Sequence, residues 1–208
     1  MRKAYKKRVV PRKISPRARG MAFGVISQIT DFMFLSGVRP LTVPAIRSLG
    51  ITTIINCTMD LPDLPIGASD IEFVRVRADD SPIFDLSVYF DPVADRIQEV
   101  YMRGGKVLVH CMAGASRSPA LVIAYLMKYH RMRLRDAFRY VKQRRPVVHP
   151  NYGFFKQLID YETQLFGSAT VDMVPVPSLG PSYGLVPDIY LEECKGLLWL
   201  QSLKAIGR

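Results

Sequence analysis

No stretch of this chain approaches the roughly eighteen consecutive apolar residues of a membrane span. The longest apolar candidate, Pro119 to Met127, suits a buried helix instead. The N-terminus lacks an apolar segment of signal-peptide type, and Arg2 stands where N-myristoylation needs glycine. Cysteine is scarce. Cys57, Cys111 and Cys194 are odd in number and widely spaced, with no CxxC. That argues against a disulfide framework or a zinc knuckle and for a reducing compartment. His110, His130 and His149 show no metal-ligand spacing, so the sequence calls for neither a metal nor another cofactor. No internal repeat is present. Acidic residues are missing from the first thirty positions, which hold nine lysines and arginines.

That basic arm accounts for most of the formal charge of +11, because 20 basic residues face 18 acidic ones from Asp31 onward. Residues 1–22 read as a disordered arm in which Pro11 and Pro16 oppose any helix. Its charge is suited to an acidic partner, an import receptor, nucleic acid or anionic lipid. The remainder of the 208 residues, within a chain that is 49% hydrophobic, is enough for one domain with a real core.

Regular patterning starts near Gly24. VISQIT and DFMFLSG read as short strands, and Thr42 and Gly50 bracket a short helix. ITTIINCT is β-branched, as in a buried strand. A loop follows over 59–70, then the strand IEFVRVRA and the polar break ADDSPIFD. Val93, Ala94, Ile97, Val100 and Tyr101 fall at helical spacing. KVLVHC is a strand, and SPALVIAYLMKYH is a helix apolar nearly all round. Leu134, Ala137, Phe138 and Val141 mark an amphipathic helix that stops at Pro146. Asn151 caps a last long helix that closes at Gly167. Strands alternating with helices predict an α/β domain with a mostly parallel, mixed central sheet flanked by helices. That domain runs over 23–168, with a partly packed tail over 169–208. The terminal EECKGLLWLQSLKAI is weakly amphipathic.

The chemistry concentrates between KVLVHC and the following helix, where CMAGASR forms a tight loop of small residues ahead of Ser118-Pro119. Proline is tolerated in a helix's first turn. Gly114 and the small Ala113 and Ala115 leave the amides of the loop, with Met112 and Ser116 among the phosphate-binding positions, free to turn inward, and a ring of amides at a helix N-terminus binds anions. Arg117 adds a planar fork for two phosphate oxygens. The same positive field favours a thiolate at Cys111. A thiolate beneath a captured phosphate is arranged for covalent phosphoryl transfer. The departing alkoxide needs a proton. Asp79 and Asp80 both lie on a loop that can supply it, and the residues alone do not choose between them.

The stretch matches HC, two residues, G, two residues, R and then serine, the signature loop of the cysteine-dependent protein tyrosine phosphatase superfamily. From about Gly24 to Gly167 the chain resembles its small atypical dual-specificity phosphatases. The resemblance is carried by ISQIT, the acid loop Asp80-Ser81-Pro82, YFDPVADRI, HCMAGASRSPALVIAYLMKYH, RRPVVHPNYGF and QLIDYETQLFG. The tail segment YGLVPDIY resembles one subgroup. This likeness implies the phosphatase fold, with the signature loop between a strand and a helix. It also implies Cys111 as nucleophile, Arg117 as phosphate clamp and Asp80 as acid, then base. Ser118 would assist the departing sulfur, His110 would orient the loop from behind and Asn151 would brace it.

The implied reaction is hydrolysis of phosphotyrosine and phosphoserine/phosphothreonine on proteins through a phosphocysteine, with MAP kinases as targets by analogy. Phosphoinositide-directed relatives carry lysines inside the loop, and none is here. Two alternatives stand beside this reading. One is a phosphoprotein-binding scaffold without turnover; the other is a phosphatase of RNA or another non-protein phosphate. The expected compartments are cytoplasm and nucleus, with mitochondrial association as an open alternative.

Overall fold

The computed structural model describes residues 23–64, 71–175 and 184–191. The basic arm, part of the 59–70 loop, Cys194 and the terminal amphipathic stretch lie outside these. Five strands form the main sheet: β1 (Ser27–Gln28), β2 (Met33–Ser36), β3 (Thr53–Asn56), β4 (Glu72–Arg75) and β5 (Val107–His110). Their spatial order is β1-β2-β5-β3-β4. β1 runs antiparallel to β2, and the other three pairings are parallel. The sheet is therefore mixed and mostly parallel, as the alternation of elements predicts.

Side-chain alternation sorts the strands onto two cores. Met33, Leu35, Ile55, Val107 and Val109 join the larger one. It includes residues from α2 (Phe90–Met102), α3 (Arg117–His130), α4 (Leu134–Arg144) and α5 (Tyr152–Phe166). Phe34, Ile54 and Leu108 face the other side, where they meet Ile46 of α1 (Val43–Leu49). β5 lies between β2 and β3, so its C-terminal end opens at the middle of the sheet, where parallel α/β folds place ligands.

The capping residues act as read. The Thr42 side chain accepts from Ala45 N–H at the start of α1, and Gly50 closes it in the left-handed region. Asn151 accepts from Phe154 N–H, and Gly167 ends α5. α3 begins at Arg117 with Pro119 in its first turn, and its residues from Ser118 to Met127 are buried. One expectation fails. Tyr101 shares the apolar spacing of α2 yet is exposed, while Phe90, at the helix start, is buried in its place. Tyr101 instead lays its ring against Phe32, with 4.7 Å between centroids.

Beyond α5, β6 (Met173–Pro175) pairs antiparallel with β7 (Leu185–Pro187), and residues 188–191 are helical. Val171, Ile189 and Tyr190 enter the larger core.

Candidate active site

Cys111 follows β5 and keeps the face of Val107 and Val109, so its sulfur belongs to the larger core's side of the sheet. His110 takes the opposite face, with Leu108. Its ring lines a cavity of about 110 Å³ with Leu41, Ile54 and Phe73. The resemblance implies that His110 orients the loop from behind; its ring lies on the face of the sheet opposite the sulfur, and its Nδ1 has no hydrogen bond among the described residues. Burial pushes its pKa down to about 4, opposed by a backbone group of Cys111. The imidazole is therefore neutral at neutral pH.

The Cys111 sulfur receives two hydrogen bonds, each 3.2 Å long: one from Gly114 N–H and one from the Ser118 hydroxyl. Both donors point at the sulfur. The loop carbonyls point the other way: four in succession are held by distant segments, and the fifth, Ser116 O, opens the hydrogen-bond ladder of α3. Met112 accepts from Val38 N–H, Ala115 from His149 N–H and Ser116 from Ala120 N–H. Ala113 and Gly114 accept from the Arg145 side chain at 3.0 and 2.7 Å. A peptide's N–H and C=O point to opposite sides, so carbonyls fixed outward turn amides toward the cup. Gly114 has φ +65°, and a Cβ there would lie 2.4 Å from Ser36 backbone atoms. The position therefore needs glycine for conformation and for space.

Arg117 is the first residue of α3. Its Nη1 donates to Ala78 O at 3.0 Å, which aims the guanidinium along the acid loop. Nε is buried without a hydrogen bond among the described residues, 3.5 Å from an Asp80 carboxylate oxygen.

Asp80 is docked onto the cup. Its Oδ1 accepts from the Ser116 hydroxyl at 2.6 Å and from Asn151 Nδ2 at 3.0 Å. Asn151 N–H in turn donates to the Ser116 hydroxyl at 3.1 Å. One asparagine thus caps α5, steadies Ser116 and holds the carboxylate. Asp79 is exposed and takes no part in these contacts. The geometry brings Cys111, Arg117, Ser118, Ser116, Asn151 and Asp80 together and leaves Asp79 outside, with the His110 ring across the sheet beside a backbone group of Cys111.

Two supporting residues escape sequence reading. Arg145, in an arginine pair before Pro146 at the end of an amphipathic helix, is completely buried. Gly153 sits so close to the acid loop that a Cβ would lie 1.8 Å from Pro82 O. Neither leaves a local signature, since both depend on contacts between distant segments. Cys57 is also buried. Desolvation, then the charge of Cys111, pushes its thiol well above the ordinary range, so it stays protonated. Among the described residues no three His, Cys, Asp or Glu side chains gather to hold a metal ion. None of the described helices is long and apolar enough to cross a membrane.

Comparison with known proteins agrees with this geometry. Residues 33–164 match the family described as dual specificity phosphatase, catalytic domain. Dual specificity protein phosphatase 14 of Bos taurus is 47% identical over 176 residues, covering 84% of this chain and 85% of the relative. Dual specificity protein phosphatase 18 of Rattus norvegicus is 46% identical over 178 residues, covering 85% and 84%. The crystal structure of human DUSP28 superposes with a TM-score of 0.62 at 33% identity, covering 67% of this chain and 94% of that one. A strand–loop–helix cup around a cysteine, a family match across most of the domain and relatives near 46% identity lead to one conclusion. The chain belongs to the dual specificity phosphatase family and is a dual-specificity protein phosphatase of the cysteine-dependent protein tyrosine phosphatase superfamily.

Proposed function

We propose that Cys111 attacks phosphorus in phosphotyrosine, phosphoserine and phosphothreonine of protein substrates. In this scheme the amides of residues 112–117 and the Arg117 fork hold the equatorial oxygens. Asp80 protonates the departing oxygen, then takes a proton from water as the phosphocysteine hydrolyses. Ser118 donates to the sulfur as it leaves. Asn151 supports the cup by holding Ser116 and Asp80, while His110 contributes a neutral, buried ring across the sheet. The observation that carries this reading is the convergence of two donors on one sulfur at 3.2 Å, with Asp80 tied to the same cup through Ser116.

The rim supports a protein substrate over RNA or an inositol phosphate. Ile83 on the acid loop is 95% exposed, Met112 53% and Tyr152 44%. Each is one or two residues from a cup or acid-loop contact. An apolar rim suits a polypeptide, and polyanions favour basic surroundings. MAP kinases are the candidate targets within this class. The proposed division of the chain is a basic arm over 1–22, the catalytic domain over 23–168 and a tail over 169–208. The arm serves an acidic partner or import receptor, in cytoplasm and nucleus.

The test is hydrolysis of p-nitrophenyl phosphate and of a phosphopeptide in EDTA. Both reactions persist in the wild type and vanish in Cys111→Ser. Activity surviving in that variant removes Cys111 as nucleophile, and phosphopeptide binding without phosphate release in the wild type returns the scaffold reading. Asp80→Asn slows alkyl phosphates by about 10²–10⁴-fold and spares substrates whose leaving groups need no proton. An equal loss on both moves the acid elsewhere. Deleting residues 1–20 changes location or partner affinity and leaves p-nitrophenyl phosphate turnover intact; no change in either removes the proposed role of the arm.

A further inference from the structure

Arg145 follows α4 directly, and its whole side chain is buried. A guanidinium out of water is costly unless its donors are met. Nε donates to Gly114 O at 2.7 Å and Nη2 to Ala113 O at 3.0 Å. On its other side Nη1 donates to Val25 O at 2.9 Å and to the Ser27 hydroxyl at 3.3 Å. The planar fork therefore grips two consecutive carbonyls of the phosphate loop from behind and anchors them to the segment that enters β1.

Those two bonds have a directional consequence. Peptide planes are rigid, so a carbonyl pinned outward sends the next residue's N–H inward. Arg145 sets the planes that carry the amides of Gly114 and Ala115. The first of these already reaches the Cys111 sulfur. Charge acts through the same path. Burial brings the guanidinium's pKa down to about 10, with the Cys111 charge pulling it upward, so it remains cationic at neutral pH and senses the sulfur. A lysine keeps this charge but lacks the fork to hold two carbonyls.

We propose that Arg145 is a positioning residue for catalysis, which holds Ala113 and Gly114 from behind and thereby aims the loop amides at the Cys111 sulfur and at the substrate's phosphoryl oxygens. The proposal rests on Cys111 being the nucleophile; it adds a residue that never touches substrate.

The experiment compares full-length wild type, Arg145→Met, Arg145→Lys and Ser27→Ala. Four quantities are read: kcat and KM on p-nitrophenyl phosphate, competitive inhibition by inorganic phosphate, the rate of Cys111 alkylation by iodoacetamide at pH 6, and melting temperature. In Arg145→Met, kcat falls about 10²-fold, the magnitude of losing one oriented donor. Its phosphate inhibition constant rises and alkylation slows, each about tenfold, corresponding to one lost charge-assisted bond. Arg145→Lys recovers alkylation but not phosphate affinity, which separates charge from aim. Ser27→Ala loses only the N-terminal tie, so its melting temperature falls while the other three readouts hold.

A merely structural arginine predicts otherwise. Lower melting temperatures in both Arg145 variants, with kcat, phosphate inhibition and alkylation all within twofold of wild type, overturn the proposal. If Arg145→Met does not fold, Arg145→Lys decides alone: unchanged phosphate inhibition refutes the aiming role. Hydrolysis surviving in Cys111→Ser would instead overturn the nucleophile assignment beneath it.

Discussion

Ser118 and Gly114 approach one sulfur from different sides, and their contributions separate in time. The Gly114 amide is fixed by the loop, so it serves thiolate and phosphocysteine alike. The Ser118 hydroxyl can rotate, and its bond matters most when negative charge returns to sulfur on hydrolysis of the intermediate. Such a bond to a charged group is worth about 1.5–3 kcal/mol, or roughly 10- to 100-fold in rate. Ser118→Ala should therefore slow the second step and leave the first. Stopped-flow mixing with p-nitrophenyl phosphate should show a burst of about one product per active site, absent in wild type. A linear trace at reduced kcat would place the role of Ser118 before the intermediate. His110 makes a different single-residue prediction. Its folded pKa of about 4 lies below the ordinary 6.5, so the unfolded chain binds the proton more readily. Its share of stability is complete above pH 6.5 and is lost as pH falls toward 4. Between pH 7 and pH 5 this amounts to about 2 kcal/mol. Urea unfolding at the two pH values should show a correspondingly smaller acid loss in His110→Gln. Equal losses would mean that the ring is more open to water than its burial indicates.

Two elements meet where Gly153 of α5 touches Pro82, and that contact decides whether the acid loop stays on the cup. A Cβ at Gly153 has no room, since the obstructing atoms are backbone. Gly153→Ala should push the acid loop off α5 and lengthen the Asn151–Asp80 bond, while leaving the Cys111 environment intact. Expected is a kcat loss of about tenfold or more on alkyl phosphates, with unchanged alkylation of Cys111 by iodoacetamide. Loss of both would mean that the loop and the cup move together. This element scale also marks how far the sequence can be read. Helix ends were legible at Thr42, Gly50, Asn151 and Gly167, because capping is local chemistry. The cup was legible because every member lies within eight residues of Cys111. The larger and smaller cores were not, although the alternation of Val107, Leu108 and Val109 separates them once the sheet exists. Nor were the buried contacts of Arg145, whose partners lie 31 and 32 residues away in the phosphate loop, or of Gly153, whose neighbour is Pro82 on the distant acid loop. Tyr101 misled for the opposite reason: helical spacing names a face, and only packing shows where that face ends.

At the scale of the whole molecule, the catalytic cup is held by segments from both ends of the described chain. Arg145 ties it to Val25 and Ser27. From the other end, Tyr190 stacks on His149 with 4.0 Å between ring centroids and donates its hydroxyl to Pro150 O at 2.8 Å. Tyr190 also packs edge-on against Phe155 at 5.1 Å. His149 is the residue whose N–H holds the Ala115 carbonyl outward, so the tail bears on the loop through one intervening residue. Through Tyr190 the tail packs into the larger core beside the catalytic loop. Truncating a buried aromatic to alanine costs about 3–5 kcal/mol, and Tyr190→Ala also removes the stacking on His149 and the hydrogen bond to Pro150 O. The expected result is a lower melting temperature together with weaker inhibition by inorganic phosphate, because the His149 backbone that restrains Ala115 loses the support of the Tyr190 ring. Tyr190→Phe keeps the ring contacts and loses the hydroxyl bond to Pro150 O, so it should retain phosphate affinity at a cost of about 1 kcal/mol in stability. If Tyr190→Ala melts earlier but binds phosphate as tightly as wild type, the tail stabilises the fold without reaching the cup.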